Sequence, residues 1–84
     1  YRALGAIYWQ EQEAQKALRQ FTYAIRVAPH DVSSYVNRAE VFVASKQFEE
    51  ARKDLHQALS RARPEDQPLV KKANAMMQMI ANQE

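Results

Sequence analysis

The sequence predicts an all-α protein, two stacked helix hairpins closed by a fifth helix, and three observations lead there. The first is a period. Tyr1, Gly5, Tyr8, Ala17, Phe21 and Ala24 recur thirty-four residues on as Tyr35, Ala39, Phe42, Ala51, Leu55 and Ala58. Small residues return where two helices must touch and large ones where space must be filled, the signature of a helix-pair array. Two further places drift, Leu4 becoming Arg38 and Pro29 becoming Arg63, with Pro64 one position late. The second observation is composition: one Gly, three Pro and an abundance of Ala, Gln, Glu, Lys and Arg, as in helical globular proteins. The third is punctuation, because Pro29 and Pro64 fall where each pair should stop. Spectroscopic helicity of about three quarters is expected of such an array, and a substantial β signal would refute it.

The first helix is expected over about Tyr1 to Glu11, where Leu4, Ile7, Tyr8 and Glu11 keep helical spacing. Gly5 inside it costs about 0.8–1.0 kcal/mol relative to Ala, so a close helix approach is the expected compensation. A break at Gln12 and Glu13 leads to a second helix, about Ala14 to Ala28, with an apolar stripe of Ala17, Leu18, Phe21, Ala24 and Ile25. Asp31 is a suitable N-cap for a third helix, about Val32 to Ser45, with Ser33 or Ser34 as alternatives. Tyr35, Ala39, Phe42 and Val43 lie along one side of it. The fourth helix, about Gln47 to Ala62, buries Phe48, Ala51, Leu55, Ala58 and Leu59. Arg61 and Arg63 then sit at its negative C-terminal end, a placement worth a few tenths of a kcal/mol. The fifth, about Asp66 to Asn82, departs from the repeat and carries a stripe of Leu69, Ala73, Met76 and Ile80. Val70, Met77 and Ala81 widen that stripe and Met79 is left over. It is expected to cap the array, its methionines filling the terminal core more than offering an adaptable binding surface.

A chain of 84 residues makes one domain at most and buries only roughly 60–65% of its unfolded surface. The expected division is repeat 1 at 1–30, repeat 2 at 31–64 and the capping helix at 66–82. The sequence has no initiator Met and opens on a core aromatic, so these residues are expected to be the C-terminal part of a longer parent. No apolar run approaches the ~20 residues that span a bilayer and no signal-peptide pattern is present. With no cysteine, the expectation is a cytoplasmic protein without membrane insertion.

Catalytic, metal and cofactor chemistry find no support. His30 and His56 lack partners at ligand spacing, and with Gly5 as the sole glycine there is no phosphate-cradling loop. Glu49, Glu50 and Asp54 are read as a solvated face with Arg52 and Lys53, Glu49 pairing with Lys53 at i,i+4. The calculated pI of about 9.1 invites a nucleic-acid reading, but the net charge is only +2 and the bases form no stripe with interleaved aromatics. The small excess at Arg61, Arg63, Lys71 and Lys72 is helix-end compensation. The expectation is therefore no enzyme, no cofactor, no metal and no nucleic acid.

What remains is a surface. In stacked hairpins the first helix of each pair lines the concave side, and side chains not used in packing point into the groove. Helical phase assigns Arg2, Ala6, Trp9 and Gln10 there from the first helix, and Ser33, Val36, Asn37, Glu40, Val43 and Ala44 from the third. This mixture of small, apolar and hydrogen-bonding groups suits an extended peptide. Arg2 or Asn37 would hold the peptide backbone and Trp9 would serve as the anchor. The alternative role for Trp9 is packing against a preceding repeat.

The spacing of Leu4, Gly5, Tyr8, Ala17, Phe21, Ala24 and Pro29 resembles the tetratricopeptide repeat, and its return in the second copy carries the likeness over about 60 of the residues. That resemblance implies a right-handed superhelical array. The runs "RALGAIYWQEQEAQKALRQFTYAIRVAPHD", "YVNRAEVFVASKQFEEARKDLHQAL" and "VKKANAMMQMIANQE" are similar to the class II chaperones of bacterial type III secretion systems. The shared features are the Leu-Gly-Ala opening, the Ala39-Glu40 pair, the Ala51, Leu55 and Ala58 triplet and the Met76-Met77-Gln78-Met79-Ile80 element. The resemblance implies a cytoplasmic, non-enzymatic chaperone holding a translocator or effector-type cargo peptide in the concave groove. Ala14, where the repeat prefers a bulky aromatic, and Val41, where a small polar residue is common, depart from the pattern.

Two other readings compete. One is an adaptor whose clamp of basic and Asn side chains grips the C-terminal carboxylate of a heat-shock chaperone. Arg2, Asn37 and Lys71 or Lys72 fit it, but Ala6 stands for the first Asn and Gln67 or Pro68 for one base, which removes charge-assisted bonds. The other is a passive scaffold or self-association module, a homodimer included, whose groove stays empty.

Overall fold

A computed structural model describes residues 1–83. Five helices follow one another, α1 (Arg2–Gln10), α2 (Ala14–Val27), α3 (Val32–Ala44), α4 (Phe48–Arg61) and α5 (Gln67–Gln83), with no strand among the described residues. The all-α hairpin array is as the sequence predicts. α1 pairs with α2 and α3 with α4, while α3 touches every other helix. α5 begins one residue later than expected because Pro64–Asp66 form a 3-10 turn. There the Arg63 backbone N–H donates to the Asp66 carboxylate at 2.9 Å.

Both hairpins turn in the same way. Glu13 N–H donates to Tyr8 C=O and Gln12 N–H to Trp9 C=O; thirty-four residues on, Gln47 donates to Phe42 and Lys46 to Val43. These paired bonds close each first helix through a left-handed residue, Gln12 (φ 62°) and Lys46 (φ 61°), the place where glycine is usual. The repeat therefore extends to the backbone of turns whose side chains differ.

Asp31 caps α3, its carboxylate accepting from Ser33 N–H at 3.2 Å and from the Ser34 hydroxyl at 3.0 Å. Replacing an N-cap carboxylate removes a partner for otherwise orphaned amides. Asp31→Ala should lower stability by about 1 kcal/mol in a denaturant titration, and Asp31→Asn, which keeps the acceptor, by only a few tenths.

The main core gathers Val36, Ala39, Ala51, Leu55, Ala58, Ala73, Met76 and Ile80 between α3, α4 and α5. A smaller one holds Ala17, Phe21 and Val41, so Val41 joins α3 to the first hairpin. Gly5 is buried with the Phe21 ring directly over it; a Cβ there would lie 2.6 Å from a ring carbon. That is the close approach which offsets the glycine's cost in a helix.

Three expectations are corrected. Asp54 does not belong to a solvated acidic face: it is 3% exposed and takes a forked pair from Arg38, Nε to Oδ2 at 2.8 Å and Nη2 to Oδ1 at 2.7 Å, while Arg38 Nη1 donates to Thr22 at 3.1 Å. The hydrogen bond to Asp54 raises the Arg38 pKa above its ordinary value against the opposing effect of burial. Glu49 pairs with Arg52 at i,i+3, not with Lys53, which puts both on the turn facing solvent. Tyr1, expected in the core, is exposed and rests edge-tilted on Tyr23 with centroids 5.4 Å apart, because no helix covers its outer side.

The connection between the two hairpins is tied to the second hairpin at one carbonyl. Pro29 C=O accepts from the Tyr35 hydroxyl at 3.2 Å and from Arg61 Nε at 2.9 Å, and the Arg61 guanidinium lies over the Tyr35 ring at 5.4 Å. Arg61 thus serves a neighbouring helix end as well as its own.

Candidate functional site

The first helix of each hairpin and α5 line one side of the molecule, and an apolar trough runs among them. Trp9 comes from the last turn of α1, where its inner edge packs on the Ala17, Phe21 and Val41 cluster. Glu40, Val43 and Ala44, three and four residues apart, share one face of α3. Lys72, Ala75, Met76 and Met79 share one face of α5, and together these eight residues enclose about 480 Å³. Val43, Ala44 and Met79 also border a second hollow of about 180 Å³ reaching Lys46, Phe48 and Gln83. The trough therefore continues past Met79 toward the end of the α3–α4 turn.

Its rim is charged and its floor is not. Lys72 Nζ meets Glu40 Oε1 at 3.1 Å across the α3–α5 gap, with both side chains nearly half exposed. A pair so open to water contributes under about 1 kcal/mol, so it marks an edge rather than holding the helices together. Hollows of this size with apolar walls and few polar groups suit insertion of apolar groups. The ionisable groups among its lining residues, Glu40 and Lys72, are paired with each other, and among the described residues no group of three or more His, Cys, Asp or Glu is placed to hold a metal ion.

The residues assigned from helical phase are brought together only in part. Trp9, Glu40 and Val43 meet in the trough, with Ala44 beside them. Ala6 and Asn37 are half-buried and stand outside this lining. Arg2 is turned away and paired with Asp31 at 3.1 Å. Ser33 lies in a separate polar notch with His30, Asp31, Arg63, Glu65 and Asp66. Val36 is corrected outright: it is fully buried in the main core, because it falls four residues after Val32 and three before Ala39 on the inward stripe of α3. The α5 half of the trough was missed, although the unplaced Met79 and the neighbouring methionines were the signal for it. Met76 serves both purposes, packed inward and bordering the trough.

Residues 4–80 match the family model of the tetratricopeptide repeat. No curated protein and no solved structure matches the chain. No helix among the described residues is long and apolar enough to cross a membrane.

Proposed function

Because the chain belongs to the tetratricopeptide repeat family, whose members are protein-interaction modules, we propose that it is a non-enzymatic binding module that takes an extended apolar segment of a partner protein into the Trp9–Val43–Met79 trough. The observation that carries this reading is the trough itself, with an apolar floor built from three helices and charge confined to the Glu40–Lys72 edge. Trp9 offers an aromatic wall held from behind by the core, the kind of rigid anchor on which binding energy concentrates. Met76 and Met79 supply adaptable thioethers on the opposite wall.

The more specific role is that of a type III secretion chaperone holding translocator cargo. It is supported by the similarity of the opening Leu4-Gly5-Ala6, the Ala39-Glu40 pair and the Met76–Ile80 element to that chaperone class. The carboxylate clamp is disfavoured by geometry: Arg2 is engaged by Asp31 and Lys72 by Glu40, so two of its cations are already neutralised.

Titration with an internal, proline-containing apolar peptide, followed by Trp9 fluorescence, tests the proposal. Binding should change little between low and high salt, since no exposed charge carries it. Val43→Glu, which puts a carboxylate on the floor, should weaken it about tenfold or more, about 1.4 kcal/mol. Undiminished affinity in Val43→Glu, or preference for an acidic C-terminal peptide that amidation of its end abolishes, would overturn the assignment.

A further inference from the structure

The three methionines of the chain lie close together on α5 and meet three different surroundings. Met76 is 6% exposed and belongs to the main core, and Met77 is half-buried against that core. Met79, about one turn on from Met76, is 50% exposed. Among the described residues it is the only large apolar side chain beyond the first hairpin that stands exposed.

Met79 also borders both hollows, the one of about 480 Å³ that reaches Trp9 and the one of about 180 Å³ that reaches Lys46 and Gln83. A thioether there is apolar, polarizable and free to change rotamer, which suits a wall that receives apolar groups. The same sulfur is chemically soft. Open to solvent, it takes up an oxygen atom from a peroxide, whereas a sulfur packed in the core is reached slowly.

We propose that Met79 is the oxidation site of this chain and that its sulfoxide closes the trough to apolar guests, an inference that rests on the trough being the binding surface argued above. In the step, the O–O bond of hydrogen peroxide breaks and one oxygen bonds to the sulfur. The sulfur gives up two electrons, and the other oxygen leaves as water. The product sets a strong dipole and an acceptor oxygen among Val43, Ala44 and Ala75, whose side chains donate no hydrogen bond, so an apolar guest would bury that oxygen unpaired. In the free protein the oxygen stays in water, and Lys46 borders the second hollow beside it. The cost therefore falls on the bound state and not on the fold. A guest seated in the trough covers the sulfur in turn and slows its oxidation.

The test treats the 84-residue protein with hydrogen peroxide and locates the added oxygen by peptide mass spectrometry. Treated and untreated protein are then titrated with a dye-labelled, internal, proline-containing apolar peptide. Met79 should be oxidised at least about fivefold faster than Met76 or Met77. Protein oxidised there should bind about tenfold more weakly with an almost unchanged Tm, and methionine sulfoxide reductase should restore the affinity. In Met79→Leu the ratio of untreated to treated affinity should fall to about one, whatever that variant's own affinity. Oxidation of Met76 or Met77 as fast as Met79, equal affinity before and after modification of Met79, or a loss of affinity that tracks a loss of Tm would overturn this inference and leave the trough as the binding surface. No binding by the untreated protein would overturn the proposed function, and the switch with it.

Discussion

Asp54→Ala is expected to cost about 3–5 kcal/mol, most of the stability that a domain of this size has. The reason is not the strength of the pair but what its removal leaves behind. Arg38 sits between the hairpins with a side chain 21% exposed, and Asp54 beneath it is 5% exposed. Without the carboxylate, a largely buried guanidinium keeps the Thr22 hydroxyl as its hydrogen-bond partner and the Phe42 ring beside it. Replacing both members, as in Arg38→Met with Asp54→Leu, removes the desolvation cost together with the attraction and should be close to neutral. Urea midpoints for the two singles and the double decide it, and a single-mutant loss below about 1 kcal/mol would show that water reaches the pair. The raised Arg38 pKa gives the sign of any pH effect. Its contribution is fully present below the ordinary guanidinium value of the unfolded chain and is lost only as pH rises through the higher folded value. Over the accessible alkaline range the pair is therefore expected to be pH-insensitive.

Phe21→Ala should cost about 3–5 kcal/mol, since the ring is 1% exposed and fills the space between α1, α2 and Val41. Its partnership with Gly5 allows a sharper check. In the parent, Gly5→Ala gains up to about 1 kcal/mol of helix propensity. It also drives a methyl to 2.6 Å from the ring, an overpacking cost of about 1–3 kcal/mol, so the net change is destabilising. In the Phe21→Ala background the obstruction is gone and the same Gly5→Ala change should stabilise. A double-mutant cycle that shows the same sign in both backgrounds would mean that α1 shifts freely on α2.

Helix number, order and turn positions were legible because the thirty-four-residue return and the two prolines act locally. Asp54 was harder. Grouped by neighbours with Glu49, Glu50, Arg52 and Lys53, it looked solvated; grouped by phase with Ala51, Leu55 and Ala58, it lies on the buried stripe of α4. The companion sign was Arg38, a charged residue in the place that Leu4 holds in the first copy. Two opposite charges in apolar positions on facing helices are a readable pattern, but only when phase is given precedence over neighbourhood. Val36 illustrates the same error, assigned to a groove because of the helix it stands on although its own spacing from Val32 and Ala39 points inward. Of the α5 wall of the trough, the sequence carries only the sign of Met79 left outside the apolar stripe. The repeat breaks at Pro64, so no equivalent position shows which face of α5 meets α3, and Lys72, Ala75 and Met79 find their roles only once that packing is set.

The shared acceptor at Pro29 has a mechanical consequence. It fastens the start of α3 to the close of α4 through Tyr35 and Arg61, while the trough opens at the other end of α3, around Val43 and Ala44. The Pro29 end of α3 is thereby held to α4 by side chains that take no part in lining the trough. On the function proposed above, a segment entering the trough would meet one end of α3 already held, so that less of its binding energy would go into ordering the cradle.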